Sequence, residues 1–503
     1  ACGMAMIFNA PFGGVLYMFE EMTSASWPLE LTFRVFVATL LCAFVSYGML
    51  NICGTDIKEF VIYAFFHQKK DWSWPDMPWF IAVAAVLGAL TSVHTRGMLA
   101  FAAMRQRAAA RVKSKTLVKV LETVFYCAFC ALLSALVSLL SDCVPEGDSG
   151  LQYVAFNCAE GFYNPIASLL VNTSHSSVKL LFSGNNEGEI HWASSMLAFW
   201  TYFSLNVGLT GLPVPGGAFT ATMLLGGLFG RAAGGLGREL GLLSTVSGVY
   251  GVVGSAAMLC GFKQMTLAVV LIVVECVNDL ALAPVVMLSV AVSMLVNWSI
   301  NERGHDDEQI ERKDLPFLEG DSPPKLDTVQ AISLCDALAP EAILTPEAPL
   351  DKVRCALAAT QKRGAVVDYP VVDDNGVCVG IVTKSKLEAA LACHDGCGRR
   401  ESRAFEPNPF EAKDDKPIIT VKSLVRISDV KDVIPLHRIM DPTPFMIAED
   451  MPAPRVHALF ARAGERCACV VSRNGSFLGI ISRLGLIAAA RHGPWASPPA
   501  SSK

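Results

Sequence analysis

The chain is short of charge. Only 17% of its 503 residues are Asp, Glu, Lys or Arg, while 52% are hydrophobic; a soluble domain carries about a quarter charged residues. It has no Lys/Arg tract of the kind that holds nucleic acid, and its net charge is −5, so no nucleic-acid partner is expected. It has no pair of CxxC motifs at zinc-site spacing. The 16 cysteines are scattered, and Cys42, Cys127, Cys130, Cys260 and Cys276 lie in apolar runs, where cysteine acts as a small hydrophobe. No metal site is expected. The opening Ala1-Cys2-Gly3-Met4 has no initiator methionine and no cationic leader, and reads as mid-helix. The expectation is a sequence truncated at its N-terminus, without a signal peptide.

What is present divides in two. Residues 1 to about 300 carry long apolar runs; from about 303 onward the composition is that of a soluble protein. A spanning helix needs about 20 mostly apolar residues. Leu31–Leu50, Pro78–Met104, Thr116–Leu140, Trp192–Leu212 and Leu280–Trp298 meet that need. Phe219–Asp279 is apolar but studded with glycines at 226, 227, 230, 234, 235, 251, 254 and 261. That pattern predicts short, tilted or half-membrane helices in close contact. The basic stretch Arg105–Lys119 between two spans predicts a cytosolic loop by the positive-inside rule. Ser141–His191 then faces the opposite, luminal or extracellular side. It holds Cys143, Cys158 and the sequon Asn172-Thr173-Ser174, so a disulfide and a glycan are both compatible with it.

Beyond a charged linker an internal repeat appears. Tyr369–Thr383 is echoed by Cys469–Ser482, each with an Asn-Gly turn between two strand-like runs. Helical stretches at Leu350–Gln361 and Ala453–Ala463 precede them. The unit is α/β and about 60 residues long, and two copies can bury both faces of their sheets. Gly396–Ile427, charged and proline-containing, reads as a loose connection.

Several motifs resemble one family. Asn9-Ala-Pro-Phe-Gly-Gly-Val-Leu-Tyr-Met-Phe-Glu20-Glu21, Gly211-Leu-Pro-Val-Pro-Gly-Gly-Ala-Phe219, Leu224–Arg231, Gly254–Gly261 and Val274-Glu275 follow one another as in CLC chloride channels and exchangers. The repeat resembles the tandem CBS domains of eukaryotic members. Asn164, Asn172-Thr173 and Pro316-Phe-Leu-Glu319 resemble the late endosomal and lysosomal branch. The resemblance implies a polytopic α-helical membrane domain with half-membrane helices, residues 1–300, incomplete at its N-terminus. A linker follows at 301–330, then the first CBS repeat at 331–393, a second linker at 394–433, the second repeat at 434–492 and a tail at 493–503. It also implies a multi-pass protein of an endosomal, lysosomal or other vesicle membrane with cytosolic CBS domains. Voltage-dependent chloride/proton antiport by a homodimer is the implied activity, with membrane lipid around it and an accessory subunit as a further partner. The alternatives are a passive channel and a truncated, non-transporting regulatory subunit. No catalytic residue and no required cofactor is implied. The family motifs that supply a serine to chloride and an external gating glutamate are not found in this chain.

The chemistry at these motifs can be weighed residue by residue. An anion at membrane depth can replace its lost water with backbone N–H groups at a helix N-terminus. Pro213 and Pro215 block helix before such a terminus, and Gly216 and Gly217 let the backbone come close. Gly217, Ala218 and Phe219 are the implied anion-binding positions; a plain helix break is the other reading. The family's proline two residues after the phenylalanine is Ala221 here. Glu20 and Glu21 close the apolar run Met4–Phe19, where a buried charge costs about 2.5–3.5 kcal/mol. Either the helix ends at water there, or, as the resemblance implies, Glu21, with Glu20 beside it, carries protons. Glu275 is expected to be structural. The family's chloride-touching tyrosine is missing from Trp298–Lys325; its place falls near Asp306, whose carboxylate would repel chloride. The CBS pair of relatives often holds an adenine nucleotide, through an acid that is Lys386 and Gly485 here. Thr383 and Ser482 remain as the only candidate nucleotide partners, and weak or absent binding is expected.

Overall fold

The computed structural model describes residues 1–21, 29–52, 72–110, 115–147, 151–214, 216–313, 315–318, 320–336, 340–363, 368–395 and 433–493. Pro215, the linker expected at Gly396–Ile427 and most of the tail lie outside them. The chain separates into two compact units between Leu315 and Pro316.

The first unit is helical. Its elements are α1 (Cys2–Phe8), α2 (Pro11–Glu21), α3 (Leu29–Ile52), α4 (Met77–Ala110), α5 (Lys115–Ser138), α6 (Pro165–Leu170), α7 (Ser174–Phe182), α8 (Trp192–Leu209), α9 (Ala218–Glu239), α10 (Ser247–Lys263), α11 (Leu267–Val277), α12 (Ala283–Ile300) and α13 (His305–Arg312). The strand pair β1 (Val144–Pro145) and β2 (Phe162–Tyr163) is antiparallel. Four helical stretches among the described residues are long and apolar enough to cross a membrane: Leu29–Ile52, Trp74–Ala109, Leu117–Ser138 and Leu280–Arg312. The fifth expected span is the 18-residue helix α8, which falls outside that set. Ser194, Ser195, Thr201, Ser204 and Asn206 dilute its apolar character.

The glycine-rich stretch forms helices in close contact, among them α9, α10 and the 11-residue α11. Glycines 226, 227, 230, 234 and 235 all lie inside the continuous helix α9. Their missing side chains serve that contact. A Cβ on Gly226 would sit 2.2 Å from the carbonyl oxygen of Gly254, and one on Gly230 would sit 2.0 Å from that of Tyr250. The backbones of α9 and α10 therefore touch directly, as small residues permit between helices in a membrane. Around this seam lies a core that includes Leu225, Leu228, Val253, Ala257, Val269 and Val285, all fully buried.

The Arg231 cation is sealed in this core, with no carboxylate among the described residues in direct contact with it. The Arg231 guanidinium donates to the carbonyls of Leu180, Leu181 and Ser183 at 2.9–3.0 Å and to Asn186 at 3.1 and 2.7 Å. Those carbonyls include the last of α7, which a helix end leaves without intrahelical donors. A buried charge is tolerable when every neighbour is a fixed dipole of the right sign. On the β1–β2 side, a disulfide joins Cys143 to Cys158. The sequon Thr173 caps α7, accepting from Ser176 N at 3.2 Å, and Asn172 Nδ2 donates to Gln152 O at 3.4 Å.

The second unit holds both repeats. In each, two antiparallel strands, β4 (Asp368–Val372) with β5 (Cys378–Thr383) and β8 (Cys467–Val471) with β9 (Phe477–Ser482), are followed by a helix, α15 (Lys384–Asp395) or α17 (Arg483–His492). The preceding helices are α14 (Leu350–Arg363) and α16 (Ala453–Ala463). The short strand β7 (Met446–Ala448) runs parallel to β8, and β3 (Glu347–Pro349) pairs with β6 (Val433–Pro435). The turns carry Gly376 at φ 77° and Gly475 at φ 80°, values that Asn-Gly sequences supply. The two repeats meet through those turns, where Phe477 N donates to Gly376 O at 2.8 Å. Residues of the linker expected at 301–330 join both cores. Arg312 of α13 donates to Leu99 O of α4 at 3.1 Å, while Leu318 and Leu326 are buried in the core of the second repeat. Apolar residues inside the charged stretch divide it between the two units.

Candidate functional site

Two helices separated by more than 240 residues form the frame. Glu20, near the end of α2, accepts from Thr266 N at 2.6 Å, Thr266 Oγ1 at 2.8 Å and Ala268 N at 2.8 Å. It thus caps the start of α11. Glu275, near the end of α11, accepts from Phe12 N at 3.2 Å and Gly13 N at 2.9 Å, and so caps the start of α2. The helices lie antiparallel, and each closes the other's N-terminus with a carboxylate. A Cβ on Gly13 would lie 2.6 Å from Ile272 Cγ1, so the glycine sets how closely they pack. A carboxylate at a helix N-terminus gains from both free N–H groups and the helix dipole. Glu275 takes the structural place expected of it. Glu20 makes a cap of the same kind, with three hydrogen bonds accepted at the start of α11.

Glu21 points elsewhere. Its Oε1 lies 3.5 Å from Lys263 Nζ, at the last residue of α10. The same ammonium donates to Asp306, in the first turn of α13. Asp306 is also within 3.0 Å of His305 Nδ1. An ammonium thus partners Asp306, the carboxylate expected to repel chloride. Lys263 and His305 escaped the sequence reading. A lone lysine closing the apolar run 247–262 was the available signal, since a cation at that depth needs a partner.

The anion loop sits next to this frame. Gly217 caps α9 with extended backbone, φ −92° and ψ 135°, and makes no side-chain capping hydrogen bond. Among the described residues no protein group accepts from the N–H of Ala218 or Phe219. Gly216 and Gly217 are exposed, with nothing within 4 Å of an added Cβ. The space beside these two glycines is therefore open. The Phe219 ring is wedged between Phe8, centroids 4.9 Å apart, and Tyr17, 6.5 Å apart and edge-on. Tyr17 precedes Glu21 by one turn of α2 and lies within electrostatic reach of Lys263 and Asp306. The amide terminus and the carboxylate cluster are therefore tied to the same helix.

In the second unit the two candidate nucleotide partners are already engaged. Ser482 caps α17, accepting from Gly485 N at 3.0 Å, and Thr383 Oγ1 lies 3.4 Å from Lys386 N at the start of α15. The Asp336 carboxylate accepts from Ser482 N at 2.8 Å, and a Cβ on Gly485 would lie 1.9 Å from Asp336 Oδ1. Burial pushes the Asp336 carboxyl up from the usual range. Among the described residues no group of His, Cys, Asp and Glu has the arrangement of a metal site.

Comparison with known proteins agrees with these motifs. The family described as voltage gated chloride channel matches residues 1–297, and CBS domains match 338–392 and 430–492. The chain is similar to "Chloride channel protein CLC-d" of Arabidopsis thaliana, at 28% identity over 97% of this chain and 65% of that protein. It is similar to "H(+)/Cl(-) exchange transporter 7" of Mus musculus at 27% identity, over 97% of this chain and 62% of that protein. It thus spans somewhat less than two thirds of the length of these relatives. A solved eukaryotic CLC transporter shares the fold, with a TM-score of 0.56 and 18% identity over 95% of this chain and 67% of that one. With the family match extending over more than half of its length, the chain belongs to the voltage-gated chloride channel family and carries CBS domains behind its membrane helices.

Proposed function

We propose that this protein exchanges chloride for protons across a membrane, with anions held at the amides of Ala218 and Phe219 and protons carried by Glu21. The observation that supports this most is the Phe219 ring lodged against Tyr17, which joins the open amide terminus of α9 to the helix that ends in Glu21. A channel needs only the amides. The partly sheltered carboxylate beside Lys263 is the part that exchange would use. The relative named an H(+)/Cl(-) exchange transporter supports the same reading. Voltage dependence, a homodimer with one path per subunit and an intracellular vesicle membrane belong to the proposal. So does the sidedness, with the basic Arg105–Lys119 stretch and the CBS repeats cytosolic. The Cys143–Cys158 disulfide lies in the segment assigned to the opposite, oxidising side. The test is simultaneous recording of chloride and pH on liposomes holding the purified protein. Chloride efflux with opposed proton movement is expected; chloride efflux that moves no protons would make the protein a passive channel.

For the CBS pair we propose packing in place of nucleotide binding. Thr383 and Ser482 spend their hydroxyls on helix starts, and a carboxylate already occupies the space beside Gly485. Titration calorimetry of the purified protein with ATP, ADP and AMP should give no binding tighter than about 1 mM, some −4 kcal/mol. Micromolar affinity for any of the three would overturn this.

A further inference from the structure

Lys263 faces two carboxylates with one charge. Its side chain is 11% exposed, Glu21 is 16% exposed, and Asp306, at 45%, reaches solvent. The ammonium sits closer to Asp306 than to Glu21. Asp306 is held from behind: His305 Nδ1 is 3.0 Å from its Oδ1, and Gln309 Nε2 lies 3.1 Å from His305 Nε2. His305 is itself buried and stacked on Phe262, centroids 4.4 Å apart. Asp306 therefore cannot easily swing away from Lys263. Among the described residues the ionisable groups facing Glu21 are Tyr17 from its own helix, Lys263 from α10 and Asp306 from α13; the Glu20 carboxylate is turned to α11.

We propose that Asp306 is a positioning residue for the proton step at Glu21, competing with it for the Lys263 ammonium and so setting the pH at which Glu21 takes up a proton. The inference rests on the reading of Glu21 as the proton carrier. In the step, a hydronium ion on the Asp306 side gives its proton to the Glu21 carboxylate and leaves as water. Lys263 stays an ammonium and Asp306 stays a carboxylate, so the cluster passes from net −1 to neutral and no other bond changes. The sign follows from Coulomb attraction. Without Asp306 the ammonium belongs to Glu21 alone and favours its ionised form; without Lys263 a like charge remains and disfavours it.

Infrared difference titration of the purified protein reads this directly, with Glu21→Gln identifying the Glu21 carboxyl band. Asp306→Asn should lower the midpoint of that band by about 1 pH unit, and Lys263→Gln should raise it by a similar amount. Asp306→Glu should return it toward the wild-type value. Opposite shifts are what a merely structural role would not produce. Asp306 is nearly half exposed, so the Asn variant alone decides if Lys263→Gln fails to fold. A midpoint unmoved in Asp306→Asn, or moved upward, would overturn the proposal. Absence of proton transport by the wild-type protein would instead sink the exchange reading while leaving the titration result standing.

Discussion

Glu21→Ala should stop proton movement and leave chloride flux. In liposomes with simultaneous chloride and pH recording, proton flux should fall on the order of 100-fold, the lower range for loss of a positioned proton-transfer group. Chloride flux should stay within a few-fold, because the amides of Ala218 and Phe219 are untouched. Glu20 is the control one residue away. Its carboxylate accepts three hydrogen bonds at the start of α11, and a bond to a charged group contributes about 1.5–3 kcal/mol. Glu20→Gln should therefore lower the thermal midpoint in detergent while the surviving protein still couples chloride to protons. Coupling lost in Glu20→Gln and kept in Glu21→Ala would reverse the assignment.

Gly254→Val should prevent the protein from folding. A Cβ at this position would stand 2.3 Å from Gly226 O and 2.9 Å from the Gly230 Cα. Both are backbone, so no side chain can rotate away. The helices would have to part along the whole α9–α10 seam, a cost above the 4–5 kcal/mol that marks exceptional substitutions. That approaches the total stability of many domains. Gly48 lies in helix α3 with nothing within 4 Å of an added Cβ, and Gly48→Ala should be neutral or gain roughly 0.5–1 kcal/mol. Fluorescence-detected size exclusion of the two variants separates the cases. A monodisperse Gly254→Val peak at wild-type yield would show that the seam can open without loss.

Pattern carried much of this architecture, and its failures have physical causes. The apolar runs at Leu31–Leu50, Pro78–Met104, Thr116–Leu140 and Leu280–Trp298 each became a helix, because a spanning helix is specified by length and composition alone. The Asn-Gly turns located both hairpins of the repeat for a similarly local reason. Glycine in Phe219–Asp279 is ambiguous by itself, since one residue type serves both to break a helix and to let two helices touch. Only the neighbouring helix α10 decides between these, and it is a non-local fact. The carboxylates show the same limit. Glu20 and Glu21 are adjacent in sequence and equivalent in composition, yet one caps α11 and the other meets Lys263. Which does which depends on the 100° rotation between successive helical residues relative to partners about 250 positions away. The Lys263 partner of Asp306 likewise lies 43 residues earlier.

The paired caps of α2 and α11 also have a history. Glu20 and Ala268 are separated by 248 residues, and a ribosome adds about 5–20 residues each second. For roughly 10–50 s of synthesis α2 exists while the helix that completes it does not. Throughout that interval its carboxylate has no helix start to cap, and its own first amides have no acid. Each is costly in an apolar surrounding. The newborn helix must wait near water, against lipid headgroups or in the keeping of the insertion machinery, and seat itself late. The same clasp that steadies the finished molecule thus makes its assembly slow to commit and vulnerable until the final third of the membrane unit has emerged.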